Sequence, residues 1–386
     1  MRRYLGAFMA LLLCLVVVSQ VTAAVSQPQP DEGKWLTYVD PRFDFMIEYP
    51  ANWHVYPRDD SRGIGAVLTF SEVDPQARDQ VTKKAPLKVE IGMYLTEIEG
   101  DQSLRDWSER YTKTIWGPDL EQVRIKTATE RAVDGRNVWV EEGVLPDWEY
   151  KLARVVHGKT VWFISAFCDD THAALFDHMV RSLRFGKGAP RTLQAAYGPA
   201  FQPLPLDGYP VKVGSRSAPG LASPPQMPQM GASISWWHVP VRGFYYCTCD
   251  SSYHTGSAAR AVDISCGCWT SVYAAHDGVA PVYLGYTSVR GNFVQIDRVY
   301  GSNLVWRARY NHLNAFDYVN IYHYSPAGYL YQDQCLGWSG NTGASTGCHL
   351  HFHVESNGSP IDLHGMQGLA LNSGYPNSSN CGYTTW

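Results

Sequence analysis

Lysine is absent from the C-terminal part of this chain: residues 235–386 carry six arginines and eight acidic residues but no lysine. The whole chain of 386 residues has a formal net charge of −4. Such a balance leaves no electrostatic footprint for nucleic acid, and no polyanion partner is expected for residues 235–386. Long apolar runs are also missing. Residues 7–18 form one, but it falls short of the ~20 apolar residues that a membrane span requires. Arg2 and Arg3 precede it and Val21-Thr22-Ala23 follows it, the layout of an export signal over residues 1–23. Cys14 follows Leu12 and Leu13 rather than small residues, which argues against a lipid-modified cysteine. The expected location is secreted, extracellular or cell-envelope, with no stable membrane insertion after signal cleavage; a retained anchor is the alternative.

Cysteine is scarce until residue 247, with Cys14 and Cys168 alone before it. Seven then follow: Cys247, Cys249, Cys266, Cys268, Cys335, Cys348 and Cys381. The two Cys-x-Cys pairs are tighter than the Cys-x2-Cys spacing of structural zinc sites, so disulfides are the expectation in an oxidising compartment. A bridge between Cys335 and Cys348 would stiffen the glycine-rich loop they bracket. Seven is odd, which leaves one thiol free or paired elsewhere, with Cys168 a candidate.

Three regions follow the signal. Residues 34–186 mix strand-like and helix-like patterns: Phe43-Asp44-Phe45-Met46-Ile47-Glu48-Tyr49 alternates as a strand, as do 87–94 and 161–167. Residues 103–116 read as a helix capped by Ser103, and 170–183 as a second helix. This predicts an α+β domain with an antiparallel sheet. Residues 187–234 turn to Pro, Gly, Ala, Ser and Gln, too poor in large apolar side chains for a core, and read as a linker open to proteolysis. Residues 235–386 read as an all-β domain of short strands, with a hairpin of 292–299 and 304–311 around Gly301-Ser302-Asn303. Fifteen of the 24 tyrosines lie there, expected mainly as core and edge packing.

The chemistry concentrates in His349-Leu350-His351-Phe352-His353. In a strand, positions i, i+2 and i+4 share a face, so this run has an apolar side and an all-imidazole side. Burying imidazoles in a row requires compensation, and a metal ion supplies it. Catalytic zinc takes three protein ligands and keeps a fourth position for water. The strand can give one or two, and His254 and Asp263 are candidates for the rest. Asp263 sits between Val262 and Ile264, where an inward carboxylate needs a partner.

His254 with Asp263, Val272-Tyr273-Ala274-Ala275-His276-Asp277-Gly278-Val279, Tyr310-Asn311-His312-Leu313, and Gly340-Asn341-Thr342-Gly343 running to Gly347-Cys348-His349-Leu350-His351-Phe352 resemble, in that order, the lysostaphin/LytM-type zinc metalloendopeptidases. The resemblance implies an all-β metallopeptidase domain and one Zn2+ per chain. It implies His254, Asp263 and His351 as ligands and His312 and His349 as catalytic histidines, with the general base unassigned between them. It further implies a peptidoglycan stem or cross-bridge peptide as substrate, glycyl bonds favoured. Two departures stand out. Eight residues separate His254 from Asp263, longer than the family's shortest His-x3-Asp form, and His353 occupies a position where Glu or Gln is common. His353 is expected as a polar neighbour or surface residue, and His276 as a turn residue. The N-terminal Phe-Asp-Phe-Met-Ile-Glu-Tyr-Pro-Ala-Asn-Trp run resembles PsbP/Mog1-like domains, which implies a fold more than a function.

Gly343-Ala344-Ser345-Thr346-Gly347 also fits a Gly-x-Ser-x-Gly nucleophile elbow. That elbow needs a helix after it, whereas here the histidine strand follows. The rival function is a non-catalytic wall-binding or hydrolase-activating module. The N-terminal domain is expected to act as a removable propeptide or as a permanent binding module.

Overall fold

A computed structural model describes residues 34–59, 61–74, 87–116, 124–145, 148–168, 172–204, 206, 237–243, 245–248, 254, 259–276, 278–279, 282–300, 303–318, 321, 329–330, 332–363, 366, 369 and 382–384. The export signal at 1–23, the linker beyond residue 206, Cys249, Cys381 and the Gly301-Ser302 turn lie outside the described residues.

The N-terminal half is built on a seven-stranded sheet in the order His54–Tyr56, Leu68–Ser71, Lys88–Glu97, Thr160–Phe167, Trp148–His157, Arg136–Leu145, Arg124–Val133. Every pairing is antiparallel, as predicted. A three-stranded sheet of Trp35–Asp40, Phe45–Pro50 and Arg184–Phe185 adjoins it. The helix Leu104–Trp116 lies across the strands Arg136–Leu145 and Trp148–His157. Its buried residues Leu104, Trp107, Tyr111 and Ile115 follow helical spacing, and Ser103 Oγ accepts the Asp106 N–H at 3.0 Å as a cap. The second helix, Ala173–Ser182, turns Phe176, Met179 and Val180 inward.

The C-terminal half is all-β. Its main sheet runs Val282–Thr287, Gly291–Tyr300, Asn303–Leu313, Leu350–Ser356, Val262–Ser265, Tyr245–Thr248, Gly382–Thr384, with Ser359–Pro360 paired to Leu350–Ser356. The predicted hairpin is Gly291–Tyr300 with Asn303–Leu313. A smaller sheet of Ser271–Tyr273, Cys335–Trp338 and Ala315–Phe316 flanks the main one.

The two halves share one continuous core. The edge strand Val282–Thr287 seats on the N-terminal sheet: Tyr286 stacks on Phe163 at 3.8 Å between ring centroids, and Tyr286 N–H donates to Tyr111 Oη at 3.2 Å. The central strands Lys88–Glu97 and Thr160–Phe167 are buried on both faces as a result. Their polar side chains find partners across the junction; Ser165 Oγ donates to Ser288 Oγ at 2.9 Å. The stretch expected as linker begins as packed chain. Residues 193–197 form the helix Leu193–Tyr197, Lys159 N–H donates to Arg191 O, and Leu204 N–H donates to Leu95 O. Phe201 packs on Tyr318 of the other half, 4.7 Å between ring centroids. Buried apolar side chains at 193, 201 and 204 explain why this part packs despite its small-residue composition.

The expected bridge between Cys335 and Cys348 is corrected. Cys348 pairs with Cys268, across 80 residues of sequence, while Cys335 lies on the strand Cys335–Trp338 as a thiol. The reason is topological: Cys335 lies on a strand of the small flanking sheet, whereas Cys348 ends the loop that feeds the histidine strand. Burial and neighbouring Asp317 push the Cys335 thiol up to about 12, keeping it protonated.

Candidate metal centre

Three adjacent strands assemble the site. Asp263 and His351 are direct register partners across the pair Val262–Ser265 and Leu350–Ser356, and Asn311 stands opposite His351 on the other side. Cross-strand partners have Cβ atoms about 5 Å apart, so carboxylate and imidazole meet without any loop ordering. His351 Nδ1 lies 3.0 Å from Asp263 Oδ1. His254, buried, brings Nε2 to 3.4 Å from the same oxygen. Ligand atoms of His254, Asp263 and His351 all fall within 4.8 Å of one another, the one such group of His, Cys, Asp and Glu among the described residues. Two imidazoles and a carboxylate form the donor set that suits a borderline-soft divalent ion such as zinc.

His312 and His349 complete the cluster. Their ring centroids are 4.9 Å apart, and His312 lies 5.8 Å from His351. His349 Nε2 is 3.6 Å from Asp263 Oδ1, so that nitrogen faces the cluster. Backbone carbonyls of one loop, residues 340–347, hold the far side of both rings: Thr342 O meets His312 Nδ1 at 2.8 Å, and Gly347 O meets His349 Nδ1 at 2.8 Å. A carbonyl only accepts, so each ring carries its proton on Nδ1 and offers the lone pair of Nε2.

His312 itself has φ +65°, the left-handed region that a non-glycine residue enters at a cost. Its N–H donates to Arg290 O at 2.8 Å, which secures the kink ending the strand. The loop sits tightly beneath: Gly343 has φ +72°, and a Cβ there would stand 2.1 Å from Gly291 N. Only glycine allows that approach. Ser345 is a loop residue whose Oγ donates to Gly347 O, and the strand Leu350–Ser356 follows it, so no nucleophile elbow exists.

Electrostatics divides the cluster. Burial alone would raise the Asp263 carboxyl, but His254, His349 and His351 outweigh it and hold that group well below the carboxylate range. Burial presses His351 down to about 4 against the opposing pull of Asp263. His312 is pressed well below the imidazole range, first by burial and then by His349 and His351. A neutral imidazole is the form that can bind a cation or take up a proton.

His353, expected as a polar neighbour or surface residue, is buried and bonded to His351. His276 is buried with its ring 4.0 Å from that of Trp237, and it takes no place in the cluster. The sequence reading missed the polar wall behind His353: Arg309, Gln295, Asp297, Arg307 and Glu355. Arg309 Nη1 forms an ion pair with Glu355 Oε1 at 2.9 Å, Arg309 Nε donates to Gln295 Oε1 at 2.9 Å, and Arg307 grips Asp297 with two bonds of 2.8 Å. The alternation Arg307-Ala308-Arg309 opposite His353-Val354-Glu355 was the available signal.

Residues 257–363 match the family model for Peptidase family M23. The DD-carboxypeptidase/endopeptidase Mpg of Neisseria meningitidis serogroup B (strain ATCC 13091 / M2091) is 31% identical over 109 residues, which is 28% of this chain and 23% of Mpg. The chain thus spans less than a quarter of the length of the curated relatives it matches. Among solved structures, the catalytic domain of the antimicrobial peptidase lysostaphin from Staphylococcus simulans is 26% identical, over 32% of this chain and 88% of that one, with a TM-score of 0.24. Cyanobacterial PsbP from Synechocystis sp. PCC 6803 is 18% identical, over 42% of this chain and 99% of that one, with a TM-score of 0.29. The family match thus lies within the C-terminal part of the chain, residues 257–363.

Proposed function

We propose that this protein is an exported zinc-dependent endopeptidase that hydrolyses peptide bonds of peptidoglycan. The observation that carries the reading is the convergence of His254, Asp263 and His351 within 4.8 Å, with two further imidazoles turned toward them. An M23 match over 257–363 and the likeness to Mpg support a peptidoglycan hydrolase. His254, Asp263 and His351 would hold the ion. Bound there, zinc supplies a Lewis acid and lowers the pKa of a water from about 15.7 toward ~7.

His312 and His349 supply the proton chemistry. Each presents a bare Nε2 because its Nδ1–H is spent on a loop carbonyl. A proton taken up at one Nε2 turns that atom into a donor, so the ring that serves as base can serve as acid to the leaving amine. The partner ring stands 4.9 Å away, and with a proton taken up on its own Nε2 it becomes a donor that can stabilise the developing oxyanion. Base and donor are shared between the two, without assignment.

The substrate is a stem or cross-bridge peptide, with glycyl bonds favoured by the lysostaphin likeness. The activity named for Mpg adds DD bonds of the stem to the set worth testing. The stretch 235–386, without lysine and rich in tyrosine, suits a small backbone substrate better than a bulky cationic one. Export rests on residues 1–23, and no helix among the described residues is long and apolar enough to cross a membrane. The test is direct: zinc analysis of the purified protein, then digestion of defined muropeptides with fragments identified by mass. One zinc per chain and cleavage at one bond type bear the reading out. Metal-free protein without cleavage would instead make it a wall-binding or hydrolase-activating module.

A further inference from the structure

The N-terminal sheet reaches into the active-site loop through two fully buried side chains. Lys88 and Glu90 lie on one face of the strand Lys88–Glu97, with Lys88 Nζ 3.3 Å from Glu90 Oε1. Lys88 Nζ donates to Asn341 O at 2.7 Å and to Ser345 O at 3.1 Å. Glu90 accepts the Gly343 N–H at 2.9 Å and the Tyr286 hydroxyl at 2.7 Å. A lysine and a glutamate removed from water need such complete satisfaction, and the loop backbone supplies most of it.

The residues gripped, Asn341, Gly343 and Ser345, alternate with or adjoin those whose carbonyls orient the histidines, Thr342 and Gly347. Thr342, whose carbonyl holds His312 Nδ1, lies between the Asn341 and Gly343 contacts. Ser345, whose carbonyl is held by Lys88, places its Oγ 3.3 Å from His349 Nδ1. We propose that Lys88 and Glu90 are positioning residues for the catalytic histidines, and that the N-terminal domain is a permanent part of the catalytic unit rather than a removable propeptide. The pair acts through the loop: it pins the backbone at Asn341, Gly343 and Ser345, and so sets where the Thr342 and Gly347 carbonyls meet the rings. A module that merely bound cell wall would have no reason to bury an ion pair against its neighbour's active-site loop.

The proposal rests on the enzymatic reading above, and its test separates the two. Full-length Lys88→Met and the double variant Lys88→Met/Glu90→Gln are compared with the parent. If the single change strands Glu90 and prevents folding, the double variant carries the test, since no buried charge is then left unpaired. The expected result in the folded variant is a fall in kcat of roughly 10–100-fold with KM and bound zinc little changed. A second readout needs no metal: ring-nitrogen NMR of the metal-free protein reports the His312 and His349 tautomers. The parent should show Nδ1–H alone, and the variant a mixture. Parent-like kcat with unchanged tautomers in a folded variant overturns the positioning role. A parent that neither binds zinc nor cleaves muropeptides sinks the enzymatic reading, while the ring-nitrogen signals still judge the clamp.

Discussion

His351 and His353 meet ring to ring: Nε2 of His351 lies 3.1 Å from Nδ1 of His353. With His351 Nδ1 turned to Asp263, the ring is held at both ends. The outer nitrogen of His353 faces a donor, Arg309 Nη1 at 3.2 Å, and an acceptor, Glu355 Oε1 at 3.5 Å. His353 can therefore keep its proton on either nitrogen, and can accept from His351 whenever that ring carries its proton on Nε2. Removing such a hydrogen-bond partner of a metal-binding imidazole weakens affinity by about 10–100-fold. His353→Ala should show that loss in a zinc competition titration, whereas His353→Gln, which keeps a donor and an acceptor, should keep most of the affinity. Equal affinity in the Ala variant would detach His353 from the metal site.

The proposed division of labour between ligands and catalysts predicts two classes of variant. Alanine at His312 or His349 should cut muropeptide hydrolysis by roughly 10²–10⁴-fold while zinc content stays near that of the parent. Alanine at His254, Asp263 or His351 should lose metal and activity together. A chelator should silence the parent, and added zinc should restore it. Elemental analysis beside the hydrolysis assay decides, and zinc loss in the His312 or His349 variant would mean the roles are misassigned.

Much of this was legible in the chain because periodicity is local. The alternation at 349–353, the Val262-Asp263-Ile264 strand and the hairpin pattern at 292–311 each state their geometry within a few residues. Strand register then turns that local pattern into the Asp263–His351 pair. Less legible were relationships that depend on which surfaces meet. Lys88 and Glu90 look like the polar positions of an exposed strand face, since nothing in 87–94 announces that a glycine loop 250 residues later will cover them. The partner of Cys348 failed for the same reason: proximity in sequence favoured Cys335, and sheet topology selected Cys268.

That disulfide makes its own prediction. It closes 80 residues and anchors Cys348, the residue before His349. A loop of that length lowers the entropy of the unfolded chain enough to contribute about 4 kcal/mol. Cys268→Ser/Cys348→Ser should lower the urea midpoint by a corresponding amount, and hydrolysis should weaken further than stability alone explains, because His349 loses its anchor. Unchanged midpoints under reducing and oxidising conditions would show that the bridge contributes nothing.

The buried imidazoles also set an acid limit on the metal-free protein. His351 falls from an ordinary 6.5 to about 4, and burial presses His312 and His353 in the same direction. The sign follows from proton counting: between the folded and unfolded values the unfolded chain binds more protons, so stability rises with pH. Stability is therefore complete above about pH 6.5 and drains as pH falls toward 4, with about 3 kcal/mol at stake from His351 alone. Asp263, held below the carboxylate range, adds a further loss at lower pH. Urea midpoints of chelator-treated protein should decline steadily from pH 7 to pH 4, and His351→Gln should flatten part of that slope. Zinc opposes the same protonations, so saturating metal should move the decline to lower pH. A midpoint that stays level from pH 7 to pH 5 without metal would mean these rings are already charged or exposed, and the cluster could not be the preformed neutral cage that metal binding requires.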